Sequence, residues 1–82
     1  MEIVPDPPKR LANLDKHGLD MASLTLEFFE AAVVVPAKRD RWLAIGMFAG
    51  RPVAVVFRPL GSQAIAPISM RPASSKERKL LK

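Results

Sequence analysis

Eighty-two residues, 49% of them apolar, with no cysteine, one histidine and a formal charge of +5, are expected to form one small domain across residues 1–82. A chain this size buries only roughly 60–65% of the surface it exposes when unfolded. The lack of cysteine removes disulfides, zinc–thiolate sites and thiol nucleophiles, and a single histidine rules out a two-histidine ribonuclease pair or a multi-histidine metal cage. No apolar run nears the roughly 20 residues of a membrane-spanning helix, and the acidic, proline-rich start is not a signal peptide, so the cytoplasm is the expected location.

In chain order, Met1 to Pro5 reads as a short extended segment, an edge strand at most. Asp6-Pro7-Pro8-Lys9-Arg10-Leu11-Ala12-Asn13-Leu14-Asp15-Lys16-His17-Gly18 is a fully punctuated helix. Asp6 can cap the first turn, Pro7 suits the first helical position, and Gly18 can close the end in the left-handed conformation. At 3.6 residues per turn, Pro7, Leu11 and Leu14 share one stripe. That stripe is expected to dock on the core, leaving Lys9, Asn13, Lys16 and His17 on the opposite side.

Asp20 then caps a second helix, expected over Met21 to Phe29, with Leu19 stapled to Leu24. Ala31 to Val35 is a β-branched strand ended by Pro36. Arg41 to Phe48, Val53 to Arg58 and Gln63 to Ser69 follow as strands separated by turns. The middle two are apolar on both faces and should lie centrally. Pro67 cannot donate to a ladder, so its part of the last strand must be an edge or a bulge. Ser74-Ser75-Lys76-Glu77 is a capping box that starts a short basic helix. The order is ααββββα, an α+β domain with two N-terminal helices, a four-stranded antiparallel sheet and a short C-terminal helix. Its sheet core is expected at Trp42, Leu43, Ile45, Phe48, Val53, Val55, Val56, Phe57, Ile65 and Ile68, covered by Leu11, Leu14, Leu24 and Phe28.

Charge is unevenly placed. Residues 1–40 carry five Lys/Arg against seven Asp/Glu, whereas residues 41–82 carry eight against Glu77 alone. Such a half suits a polyanion or an acidic protein partner, or is ordinary solubilising surface.

The wording of the first helix, Asp6-Pro7 with Lys9, Asn13 and Lys16-His17-Gly18, resembles the opening of the BrnT family. Arg41-Trp42-Leu43-Ala44-Ile45-Gly46, the run Val53 to Phe57, Ile68-Ser69-x-Arg71 and Glu77-Arg78 continue the likeness in the same order. The family usually has a Trp where Pro5 stands, and an aromatic soon after the Glu where this chain has Leu80 and Leu81. The resemblance implies a RelE-like fold and a toxin of a type II toxin–antitoxin pair. Such a toxin cleaves RNA without a metal or other cofactor, inhibits translation, and is neutralised by a BrnA-like antitoxin. The two are expected to form a hetero-oligomer that reaches DNA only through the antitoxin.

The implied chemistry is attack of the ribose 2′-OH on the adjacent phosphate, with placed cations stabilising the charge that builds there. Arg71 is the first choice, because a guanidinium grips two phosphate oxygens; the plain reading is a solvated arginine at a strand end. His17, beside Lys16, is the second, since imidazole exchanges protons near neutral pH, yet a histidine before a terminal glycine also suits a helix end. Arg41 is a third candidate, against a surface pairing with Asp40 or Glu30. Lys9, Asn13, Ser69, Arg58 and Arg78 are the expected RNA-binding residues, with Asn13 alternatively locking a neighbouring loop. Trp42 reads as core before it reads as a stacking face, and the capping box accounts for Glu77. Two other functions stay open: a catalytically inactive module on the same fold, and a basic nucleic-acid-binding domain.

Overall fold

The computed structural model describes residues 1–81. The first helix, α1, spans Pro7–His17 and keeps every local signal of its sequence. The Asp6 carboxylate accepts from the Lys9 amide, and Gly18, at φ 68°, donates its N–H to the Leu14 carbonyl. What differs is the face it turns inward. Leu11 is 61% exposed and Leu14 38%, while Asn13 is 6% exposed. The expected apolar contact of Leu11 and Leu14 with the core is therefore absent.

The sheet explains the reversal. Its strands are β1 (Glu2–Ile3), β2 (Val33–Pro36), β3 (Trp42–Phe48), β4 (Arg51–Leu60) and β5 (Ala64–Pro72), in the spatial order β1-β5-β4-β3-β2. β2 to β5 form the expected antiparallel meander, but β1 adds a fifth strand parallel to β5, so the sheet is mixed and five-stranded. β1 pairs only at Ala64 and Ile65, which leaves the rest of the β5 edge uncovered. α1 packs on β5 and meets a row of backbone polar groups. The Asn13 Oδ1 accepts the Met70 N–H at 2.8 Å, and its Nδ2 donates to the Leu19 carbonyl at 2.9 Å. A leucine facing that edge would leave both groups unpaired, and a buried unpaired polar group costs about 1–3 kcal/mol. The amide wins the inward position, and the leucines face out.

The expected second helix is two pieces. Asp20 caps a 3-10 turn over Met21–Ser23, Leu24 is extended, and Thr25 caps a new helix, α2, at Leu26–Ala31, its Oγ1 accepting from the Phe28 amide. The Thr25 hydroxyl offers the chain a fresh start where a continuous helix was expected. The break lets Leu19, Met21, Leu24 and Phe28 all point at one sheet face, where they bury Ala44, Val53, Val55, Phe57, Ile65 and Met70. Phe29 sets its ring edge-on to both Phe28 and Phe57, with centroids 5.2 and 5.3 Å apart. Gly46 permits this packing: a Cβ there would lie 3.0 Å from the Phe28 ring. Trp42, expected in the core, is 39% exposed, because it lies at the far end of β3, opposite Pro36 and Phe57. Leu43, Phe48, Val56 and Ile68 are half-buried, and Ile45 is buried outside the main cluster.

Pro67 behaves as its chemistry requires. Phe57 pairs with Pro67 and Val56 with Ser69, so Ile68 is the extra residue of a β-bulge. The strand then runs past Ser69 to Pro72, placing Arg71 inside β5 and not beyond it. Met70 stays opposite Val55 on the core face, which puts Ser69 and Arg71 on the other face with Arg58.

Two ion pairs hold the ends of the chain. Arg10 grips Asp20 with Nε and Nη2 at 2.7 and 2.8 Å, and Arg71 grips Glu77, in the last helix α3 (Ser75–Lys79), with Nη1 and Nη2 at 2.7 and 2.9 Å. Hydrogen bonds from Arg10, then from the Ala22 amide, lower the Asp20 carboxyl from 3.8 to about 2. Hydrogen bonding by Arg71 does the same for Glu77, from 4.5 to about 2, against an opposing effect of burial and with help from the Ser74 amide.

Both carboxyls are depressed on folding, so their stabilisation is complete above roughly pH 4.5 and is lost as the pH falls toward 2. Urea titrations from pH 7 to 2 should show that fall, and changing Arg10 and Arg71 together to Gln should flatten it; an unaltered slope would refute the assignment. Asn13→Ala should cost about 2–4 kcal/mol of a total near 5–10, since two buried groups lose their partner. Asn13→Asp should recover only part, because its carboxylate would face the Leu19 carbonyl. An Asn13→Ala protein as resistant to urea as the parent would remove the amide from its central role.

Candidate functional site

Between α1 and β5 lies an open cleft of about 320 Å³. The helix contributes Lys9, Ala12, Asn13, Lys16 and His17, and the strand contributes Ile68, Ser69 and Arg71. The helical period brings Lys9, Asn13, Lys16 and His17 to one side. Asn13 sits deepest and its amide is taken up by protein groups, so it holds the floor, and the three charged or titratable residues rise around it. Lys9 and Lys16 are exposed and His17 is half-buried in the last helical turn. On the strand side the bulge at Ile68 sets the orientation of Ser69 and Arg71. No carboxylate lines the cleft itself among the described residues.

Arg71 is held from behind. Glu77, 15% exposed at its side chain, receives both terminal nitrogens of the guanidinium and also the Ser74 amide at 2.8 Å. The capping box is present as expected, with the Glu77 amide donating to Ser74 Oγ at 3.2 Å. Its carboxylate thus serves the helix end and the arginine together. The sequence carries the first role as a local motif; the second joins residues six apart on a strand and a helix, a spacing that no local pattern marks.

Six of the nine residues singled out in the sequence converge here: Lys9, Asn13, Lys16, His17, Ser69 and Arg71. Three do not. Arg41 lines a separate hollow with Arg39, Asp40 and Trp42, beyond the other end of the sheet's central rows. Arg58 is exposed on β4, opposite Ala66, and Arg78 lies on α3 with its Nη2 3.3 Å from Ser75 Oγ. Apolar lining from Ala12 and Ile68 completes the site.

The converged set can do electrostatic chemistry. Two ammonium groups and a guanidinium over one opening favour a phosphate, the guanidinium through paired N–H donors and the lysines as point charges. A hydroxyl and an imidazole sit within the same cleft to orient an oxygen or move a proton.

No curated protein matches the chain. The crystal structure of the Brucella abortus ribonuclease toxin BrnT is 54% identical over 92% of this chain and 99% of that one, with a TM-score of 0.86. The family model described as "Ribonuclease toxin, BrnT, of type II toxin-antitoxin system" matches residues 6–77, a span that runs from the Asp6 cap to Glu77. No described helix is long and apolar enough to cross a membrane. With its fold and most of its length accounted for, the chain belongs to the BrnT family of ribonuclease toxins of type II toxin–antitoxin systems.

Proposed function

We propose that the α1–β5 cleft is the ribonuclease site and that it cleaves RNA without a metal, by attack of a ribose 2′-OH on the neighbouring phosphate. One observation carries the reading: Lys9, Lys16 and His17 from the start of the chain meet Ser69 and Arg71 from its end over a single opening. In this reading Arg71 stabilises the charge that develops on the phosphate, with Lys9 and Lys16 adding to the field. His17 or Lys16 removes the 2′ proton, and a proton returns to the departing 5′ oxygen. The nucleophile belongs to the RNA, so the 5′ fragment leaves with a 2′,3′-cyclic phosphate. Ser69 orients the phosphate, while Arg41, Arg58 and Arg78, outside the cleft, track the RNA backbone on either side of it.

Cleavage of RNA by this toxin lowers translation in the cytoplasm. A BrnA-like antitoxin silences it by binding the basic half of the chain in a hetero-oligomer, and connects it indirectly to DNA. The excess of cations in residues 41–82 supports a partner with acidic segments, and such binding should weaken as salt rises.

Arg71→Ala should lower cleavage roughly 10²–10³-fold, the size expected for one lost donor to a developing oxyanion. Arg71→Lys should recover only part, because the two-point grip is gone. His17→Ala should cost about 10²–10⁴-fold if the imidazole moves the proton, and mainly lower the melting temperature if it only ends the helix. Cleavage should persist in EDTA. Growth arrest on expression, end-group analysis of the RNA and a thermal melt of each variant measure these outcomes. A well-folded Arg71→Ala chain that arrests growth at parental potency would favour the inactive binding module instead.

A further inference from the structure

The two arginine–carboxylate pairs differ in which edge of the guanidinium they use. Arg10 meets Asp20 side-on, through Nε and Nη2. Arg71 meets Glu77 end-on: Nη1 donates to Oε1 at 2.7 Å and Nη2 to Oε2 at 2.9 Å, and Nη1 also approaches the Pro72 carbonyl at 3.4 Å. A guanidinium has five N–H groups. These bonds use both hydrogens of Nη1 and one of Nη2. The Nε–H and the second Nη2 hydrogen have no partner among the described residues, and they lie side by side on one edge. That is the edge with which Arg10 holds two carboxylate oxygens. In Arg10 it is closed by protein; in Arg71 it is left open on a residue that lines the cationic cleft.

Glu77 is itself anchored. Its Oε1 accepts from the Ser74 amide, and its backbone N–H returns a bond to Ser74 Oγ. The carboxylate therefore has a fixed place at the start of α3, and it stays ionised down to about pH 2. A flexible arginine restrained at both terminal nitrogens has little freedom to swing into solvent.

We infer that Glu77 is a positioning residue for the proposed cleavage site. Its end-on grip holds Arg71 so that the Nε–Nη2 edge meets the two non-bridging oxygens of the RNA phosphate. The inference rests on the reading of the cleft as the ribonuclease site. Glu77 touches neither phosphate nor ribose and acts only through Arg71. Its negative charge offsets part of the arginine's attraction for RNA, and Lys9 and Lys16 restore that field without needing a fixed orientation.

A double-mutant cycle separates this role from that of a helix cap. Glu77→Gln keeps an acceptor for the Ser74 amide and so keeps the cap, but it offers one oxygen where Arg71 needs two. With an end-labelled transcript that the parent cuts, Glu77→Gln should lower the rate at saturating RNA about 10–100-fold, the scale of a misplaced catalytic group, and leave the melting temperature almost unchanged. Added to Arg71→Ala, it should cost nothing further, because the group it positions is already gone. Ser74→Ala, which weakens the cap and spares the ion pair, should lower the melting temperature and leave the cleavage rate near the parent's. Should Glu77→Gln fail to fold, Glu77→Asp takes its place in the cycle: one methylene short of the paired contact, it too should cut slowly, and parental speed would refute the role. A folded Glu77→Gln chain that cuts at or above the parental rate overturns the inference, and a faster rate would make Glu77 a brake. If Arg71→Ala also cuts like the parent, the ribonuclease reading of the cleft falls with it. If Arg71→Ala is slow while Glu77→Gln is not, only the positioning role is lost.

Discussion

The Asn13 amide is the constraint on which the arrangement of this molecule depends. β5 has an edge that β1 covers for only two residues, and an uncovered edge is both unstable in isolation and open to pairing with other chains. α1 covers it, yet a helix has no backbone donors or acceptors to spare along its side. One side chain must therefore satisfy the Met70 N–H, and Asn supplies the acceptor while its donor half fastens the following Leu19 carbonyl. Everything around this junction follows in rotation. With Asn13 inward, the period of 3.6 residues brings Lys9, Lys16 and His17 over β5 and sends Leu11 and Leu14 outward. The apolar stripe that local amphipathicity would bury is displaced by a hydrogen-bonding need worth more than either leucine at that edge.

This arrangement has a cost that a purely structural design would avoid. Lys9, Lys16 and Arg71 crowd one opening that no carboxylate lines among the described residues, and like charges this close raise the energy of the folded state. A small domain with a total stability of about 5–10 kcal/mol has little margin for such repulsion. Among the described residues Arg71 alone of the three has a counter-ion, and that counter-ion sits behind it, leaving the cleft itself cationic. Lysines at exposed positions keep their repulsion modest through solvation, whereas the less exposed arginine needs Glu77. An arrangement that concentrates positive charge and neutralises it only from the rear is suited to receiving an anion.

The parts of this structure that local chemistry controls were legible in the sequence. The caps at Asp6, Gly18, Asp20 and Ser74, the β2–β5 meander and the disturbance at Pro67 all follow from residues acting on their neighbours. The face of α1 was not legible, because Leu11 and Leu14 cannot announce that the surface they meet is a strand edge and not an apolar plane. β1 was legible as a short edge strand, but its two residues carry no pattern that fixes a partner, and its parallel pairing with β5 depends on where the far end of the chain lies. The break at Thr25 was not legible, because the apolar run from Met21 to Phe29 has the period of one continuous helix. Of the candidate site, Arg71, His17 and the lysines were singled out through the family resemblance, and the fold brings them to one cleft. Arg41 was separated from them because position along a sheet row, invisible in one dimension, decides proximity. Glu77 was half read: its capping role is local, while its grip on Arg71 exists only after β5 and α3 are in place.

The cleft owes its shape to groups that stand behind it. Asn13 fixes the helix wall by bonds to Leu19 and Met70, and Glu77 fixes the strand wall by bonds to Arg71 and Ser74. Neither wall relies on an ion pair across the opening, so an anion entering it need not break one to be bound. Electrostatic catalysis gains most from dipoles and charges already oriented before the reaction, since none of the stabilisation is then lost to reorganisation. A chain of this size has too little core to hold several charged side chains in place by packing alone. Hydrogen bonds from two buried or half-buried polar groups do that work instead, and they couple the folding of the two chain ends to the geometry of the site between them.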